Sequence, residues 1–235
     1  GHLVNFRASV LEIFRGFRLL LQLLLRHVNR FVCLRLKNNG GQNFYVKRSN
    51  MEKAFIFHGT GAGKYDHWFP EIKKKLEKNG VEVCRPDFPT PEAQTLENWL
   101  EILDEQEMEI DENTVLIGHS TGAVFILSVL EKIDAEIEAA FLISGFTGKL
   151  QDERFDPLNE TFAEKDFDFE KIKNSARDFY IFHSESDPYV PLEKAAELAP
   201  KIDANLELVA GAGHFNTESG YTDFPELWQE LENFV

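Results

Sequence analysis

Cysteine is scarce: Cys33 and Cys84 are the only two in 235 residues. Two thiols cannot build the disulfide framework of a small secreted domain, and with no C-x-x-C pair or Cys/His cluster they offer no zinc site. A reducing, cytoplasmic setting is the expectation, with Cys84, in the apolar stretch Val81-Glu82-Val83-Cys84, as a small core residue. Basic residues are scarce as well, but over one part of the chain only. Nine of the 25 Lys and Arg fall within 1–50 beside one of the 40 acids, which leaves 16 bases and 39 acids in 51–235, a net charge of −23. A body so acidic disfavours nucleic acid as a partner, and none is expected, since that affinity rests on neutralising phosphates. Long apolar runs are missing too. The longest uncharged stretch near the start, Leu19–Leu25, falls far short of the ~18 residues that span a bilayer, and arginines interrupt it where a signal peptide would be purely apolar.

What is present is a repeated alternation. From Met51 on, the short apolar runs 54–57, 81–84, 114–117, 139–143, 179–182 and 206–209 read as strands. Between them, 68–78, 96–108, 123–133, 192–198 and 224–234 carry helical spacing. Most of the strand runs are almost continuously apolar, as strands covered on both faces are. The expected fold is α/β, a three-layer α/β/α sandwich with a mainly parallel sheet, whose ligand site lies at the carboxyl ends of the strands. Residues 51–235 form this domain. Residues 1–50 are different: Glu12, Arg15, Arg18, Gln22, Arg26 and Asn29 make one polar stripe among Leu, Phe, Val and Ile, which predicts an amphipathic helical extension over about 10–37. It has three readings. It packs against the body or a second copy, it lies in a membrane interface with its arginines on anionic lipid, or the enzyme proper starts at Met51.

The chemistry centres on Gly118-His119-Ser120-Thr121-Gly122, which follows an apolar strand and precedes the helical run Ala123-Val124-Phe125-Ile126-Leu127. This is the pattern of a nucleophile elbow, in which a serine sits on a sharp strand-to-helix turn. A serine hydroxyl needs a base to take its proton. Of the two later histidines, His183 ends an apolar strand, whereas His214 sits in the small-residue loop Gly211–Phe215 after the last strand, so His214 is the expected base. The acid comes from Ser184–Pro191, where Asp187 is favoured over Glu185 by its place after the preceding strand. An oxyanion calls for main-chain N–H donors. Thr121 follows the nucleophile, and Thr60 or Gly61 lies in the glycine-rich loop 58–63 after the first strand. That loop fits neither phosphate-binding spacing, G-x-x-x-x-G-K-[ST] or G-x-G-x-x-G, so no nucleotide is expected, and hydrolysis by a Ser–His–Asp set implies no metal or other cofactor. His58, Trp68 and Phe146 are candidate pocket walls. The phenylalanine-rich segment 144–170 is either a small lid that walls an acyl pocket or a surface connection that tucks its aromatics into the core.

In its ordered motifs the chain resembles the small serine hydrolases of the α/β-hydrolase fold related to retinoblastoma-binding protein 9. They are His58–Gly63, Trp68-Phe69-Pro70, Pro86-Asp87-Phe88-Pro89, Trp99, Gly118–Gly122, Ser186–Pro191 and Gly213-His214-Phe215. The resemblance spans about 51–235 and implies an α/β-hydrolase domain without a large cap, with Ser120, Asp187 and His214 as a catalytic triad. It further implies cleavage of a small-molecule ester or amide. It says nothing of residues 1–50. The alternative is a binding protein that keeps the fold without the activity.

Overall fold

The computed structural model describes residues 35–37, 43–45 and 51–235. They belong to two units, divided between Arg48 and Ser49. In the first, β1 (Arg35–Lys37) pairs antiparallel with β2 (Asn43–Tyr45), Leu36 opposite Phe44. Residues 35–37 of the helix expected over about 10–37 are thus strand, where pairing with a segment rich in aromatic β-formers prevails over helical spacing. Residues 10–34, the rest of that expectation, lie outside the described residues.

The second unit is a parallel sheet of six strands. Its strands are β3 (Lys53–Phe57), β4 (Glu82–Cys84), β5 (Thr114–His119), β6 (Ile137–Ile143), β7 (Ala176–His183) and β8 (Asn205–Leu208). Their order is β4-β3-β5-β6-β7-β8, every pair parallel. The strands sort their side chains by alternation. Phe55, Phe57, Leu116, Ala140, Leu142 and Ile181 enter one core, while Ala54, Ile56, Val115, Ile117, Ala139, Phe141 and Ile143 enter the other. Two apolar faces require two helical layers. One core takes α1 (Phe69–Lys78) and α7 (Pro225–Leu231), through Phe69, Ile72, Leu76, Leu227 and Leu231. The other takes α2 (Leu96–Asp104), α3 (Thr121–Lys132) and α6 (Leu192–Leu198), through Trp99, Leu103, Val124, Leu127, Ala195 and Leu198. The three-layer α/β sandwich is the architecture the apolar runs predict.

Two differences are local. Helix α2 ends at Asp104, not Met108, because Glu101, Asp104 and Glu105 crowd acids at the end of the helix that favours cations. Segment 144–170 holds α4 (Asp156–Ala163), and α5 (Phe169–Asn174) follows from its end. Both are too short and polar to stand out by periodicity. They pack on the outside of α3, whose residues Thr121–Leu130 are buried all round for that reason. No helix among the described residues is long and apolar enough to cross a membrane.

Strand order reverses between β3 and β5, since the chain leaves β3 for β4 on one side and then returns to build outwards on the other. The loops after these two strands diverge there, which leaves a crevice at the carboxyl edge of the sheet.

Candidate active site

Ser120 stands at this crevice, between the end of β5 and the start of α3. Its backbone is held at φ 55°, ψ −120°, a conformation side chains rarely adopt. Two hydrogen bonds pin the turn: Ser120 N–H to the Ile143 carbonyl at 2.8 Å, and Ala123 N–H to the Ser120 carbonyl at 2.9 Å. The flanking glycines answer to close approach. A Cβ on Gly118 would stand 2.5 Å from the Gly122 carbonyl oxygen, and one on Gly122 would run into the carbonyl oxygens of Phe57 and His58 on the neighbouring strand. The Thr121 N–H opens α3 and has no partner within the helix.

Beside Ser120, the loops after β7 and β8 bring Asp187 and His214 together. The Asp187 carboxylate is fully buried and takes four hydrogen bonds. Its Oδ1 accepts from the Tyr189 N–H (2.9 Å) and the Val190 N–H (3.0 Å), and its Oδ2 from the Ser144 hydroxyl (2.8 Å) and His214 Nδ1 (2.8 Å). Burial alone would push this carboxyl up. The hydrogen bond and charge of His214, with the two N–H donors, more than offset it and hold Asp187 below the ordinary carboxylate range. A carboxylate on Nδ1 fixes the tautomer of His214 and leaves Nε2 for the cleft. The ring of His119 packs under His214 with centroids 4.7 Å apart, and its Nε2 donates to the His214 carbonyl at 2.7 Å. The alternatives fall elsewhere. His183 is buried with Nε2 on the Val190 carbonyl (3.0 Å), and Glu185 is exposed and accepts from the Gly211 N–H.

Of the two donors expected in the loop after β3, Gly61 is already committed. Its N–H bonds Thr90 Oγ1 at 2.7 Å, which corrects the sequence-based choice and leaves Thr60. The Thr60 hydroxyl lies 2.8 Å from that of Thr121, so the two residues touch across the crevice.

The cleft over Ser120 encloses about 220 Å³. Leu150, Phe155, Tyr189 and Val190 make an apolar wall, and His67, Asn216 and Glu218 a polar one. The three pocket candidates are not among its lining residues. His58 is a buried clamp: Nδ1 donates to the Gly59 carbonyl and Nε2 accepts the Phe88 N–H, both at 3.0 Å, and burial lowers its pKa. Trp68 is buried with Nε1 on the Phe215 carbonyl (3.0 Å), and Phe146 is buried in the core beside α3. Aromatics next to the site in sequence are here claimed by the core behind it. Segment 144–170 divides its aromatic and apolar residues, Leu150 and Phe155 lining the cleft while Phe146 and Phe162 enter the core. His67 escaped sequence reasoning. The Thr217 N–H and hydroxyl both sit on its Nδ1 (3.2 and 3.1 Å), so the ring is neutral with its proton on Nε2, a state burial also favours. Only a contact between residues 150 apart in the chain reveals it.

Sheet order, elbow and histidine loop together define an α/β-hydrolase fold. The serine hydrolase family model matches residues 54–233, and the chain belongs to that family. YdeN of Bacillus subtilis is 34% identical over 185 residues, covering 78% of this chain and 96% of YdeN. Its crystal structure superposes with a TM-score of 0.72. The serine hydrolase RBBP9 of Rattus norvegicus is 31% identical over 186 residues, 78% of this chain and 95% of RBBP9. At 17% identity, Est1E of Butyrivibrio proteoclasticus shares the fold, with a TM-score of 0.56 over 79% of this chain and 89% of its own.

Proposed function

We propose that the protein hydrolyses small carboxylic esters or amides through a Ser120–His214–Asp187 triad and an acyl-enzyme. The observation that carries this reading is the buried Asp187–His214 pair standing at the same cleft as an elbow serine. Ser120 Oγ attacks the carbonyl carbon of the substrate as its proton passes to His214 Nε2. Asp187 keeps Nδ1–H directed at its own Oδ2 and stabilises the imidazolium. The tetrahedral oxyanion is received by the N–H groups of Thr121 and Thr60. Collapse expels the alcohol or amine, which takes the proton from His214. A water molecule then attacks the acyl carbon with His214 as base, and Ser120 recovers its proton as the acid leaves. The apolar wall of Leu150, Phe155 and Val190 suits the acyl chain.

A fluorophosphonate probe tests the reading together with turnover of p-nitrophenyl esters and aminoacyl arylamides. Labelling and turnover are expected in the wild type and absent in Ser120→Ala. A folded wild-type protein that neither labels nor turns over any member of the panel sinks the proposal.

A further inference from the structure

Five polar side chains behind the crevice form one directed chain of hydrogen bonds. It starts at the Gly61 N–H, which donates to Thr90 Oγ1. That hydroxyl donates to Gln94 Oε1 at 2.6 Å. The other end of the amide, Gln94 Nε2, donates to Thr60 Oγ1 (2.8 Å) and to the Leu158 carbonyl (2.9 Å). Thr121 Oγ1 donates to Asn159 Oδ1 at 2.6 Å, so at its 2.8 Å contact with Thr60 it is the acceptor. Asn159 Nδ2 ends the chain on the Phe155 carbonyl at 3.0 Å. Each hydroxyl gives one proton and receives another, and the second acceptor open to Thr60 Oγ1, Asn159 Oδ1 at 3.3 Å, belongs to the same five side chains. Gln94, Thr121 and Asn159 are all buried, where an unpartnered amide or hydroxyl is costly.

The bonds join four separate parts of the fold, beside the packing of Trp99 on Phe162 and the Leu96 N–H to Thr161 Oγ1 bond that also tie α2 to α4. Thr60 belongs to the loop after β3, Thr121 to the first turn of α3, Gln94 to the stretch before α2, and Leu158 and Asn159 to α4. Both oxyanion donors under the reading above are main-chain groups, on Thr60 and Thr121, and neither needs a side chain to exist. We infer that Gln94 and Asn159 are positioning residues, which hold the Thr60 and Thr121 N–H groups at the spacing one oxyanion requires. Gln94 does so from behind, as it is not among the residues that line the cleft. Asn159 does so from α4 and itself lines the cleft, as does Phe155 at the cap of the same helix, so the acyl wall and the oxyanion donors are set by one element.

The inference rests on the proposed hydrolytic reading, and the test separates the two. Gln94→Met keeps the side-chain volume and removes both ends of the amide. Thr60→Val keeps the main-chain N–H and removes the hydroxyl, and Thr60→Ser keeps both. On p-nitrophenyl butyrate, Gln94→Met and Thr60→Val should lower kcat about 10- to 100-fold with KM within about threefold, while Thr60→Ser stays near wild type. A trifluoromethyl ketone adds a second readout, which packing alone would not move. Ser120 Oγ adds to its carbonyl carbon, the proton passes to His214, and a hemiketal oxyanion remains. Its affinity should fall by the same factor as kcat in both variants. The inference is overturned if kcat survives in either variant, if the loss lies in KM alone, or if Thr60→Ser loses as much as Thr60→Val. Should Gln94→Met not fold, the Thr60 pair decides by the same criteria. Wild-type turnover that depends on Ser120, with variants equal to it, removes this inference alone; no wild-type turnover removes the reading beneath it.

Discussion

Ser144 donates its hydroxyl to the oxygen of Asp187 that also accepts Nδ1–H of His214, both at 2.8 Å. Its own backbone, at the end of β6, is held at a positive φ of 49°. One carboxylate oxygen thus anchors to β6 and aims a ring that arrives after β8.

Removing the two groups should have very different effects. Asp187→Asn would put an amide opposite Nδ1 and favour the wrong tautomer, so kcat should fall on the order of 10⁴-fold with KM little changed. Ser144→Ala leaves Oδ2 with one donor fewer, and kcat should fall only about tenfold. Steady-state kinetics on a p-nitrophenyl ester check both, and a Ser144→Ala loss as large as that of Asp187→Asn would contradict this division of roles.

The buried histidines should make the fold acid-labile well above the range of its carboxylates. Burial lowers the pKa of His58 and His183 and takes His119 well below the usual 6.5. Each is neutral in the folded chain where the unfolded chain already binds a proton. Below pH ~6.5 the unfolded state holds more protons, so stability falls as pH falls, by about 1.4 kcal/mol per pH unit for each such group down to its folded pKa. Asp187 acts lower down. Its depressed pKa stabilises the fold above the unfolded value of 3.8, and that contribution is lost as pH falls through the folded value. Thermal melts between pH 8 and 4 should show Tm declining already between pH 6.5 and 5, and a flat profile there would refute the assignment of neutral buried rings.

Phe155 should limit the acyl chain. Phe155→Ala opens the apolar wall between Leu150 and Tyr189, so kcat/KM should shift by roughly 10-fold from butyrate towards octanoate esters. An ester series of increasing length on both proteins measures it. An unchanged preference would mean that the acyl chain lies elsewhere.

Gly122→Ala should be destabilising through backbone, not side chains. Its Cβ would meet carbonyl oxygens of β3 and the residue after it, which cannot yield without parting α3 from the sheet. A loss of about 2–3 kcal/mol is expected by chemical denaturation, with Ser120 labelling reduced in step.

Residues 10–37 carry a sequence-based expectation of their own. If their arginines meet anionic lipid, the full chain should float with phosphatidylserine vesicles and a version starting at Met51 should not. Equal flotation would remove the membrane reading, and sedimentation of both forms would then test self-association.

Much of this molecule is legible in the sequence because its strands are buried on both faces. A continuous apolar run such as Ala139–Ile143 carries a strong signal, and loops that follow such strands inherit a known position at the sheet edge. Ser120, Asp187 and His214 could be chosen on that ground. Short elements hidden among acids could not: α4 turns few apolar side chains inward, onto α3 and onto Trp99 of α2, too little apolar surface to register. Pocket walls failed for a different reason. Trp68 and Phe146 stand near site loops in sequence, but a large aromatic goes where the most area is buried, and that is the core. The commitment of Gly61 to Thr90 is a pairing between loops, invisible to any local pattern.

The order in which the parallel strands are added has a consequence for the newly made chain. Ser120 follows β5, Asp187 follows β7 and His214 follows β8, so the proposed nucleophile is synthesised 94 residues before its proposed base. Until β8 docks on β7 at the edge of the sheet, the elbow can exist but the histidine that would arm it has no seat. Under the proposed triad the chain should be inactive before that docking, and the onset of labelling at Ser120 would report that the last strand has closed.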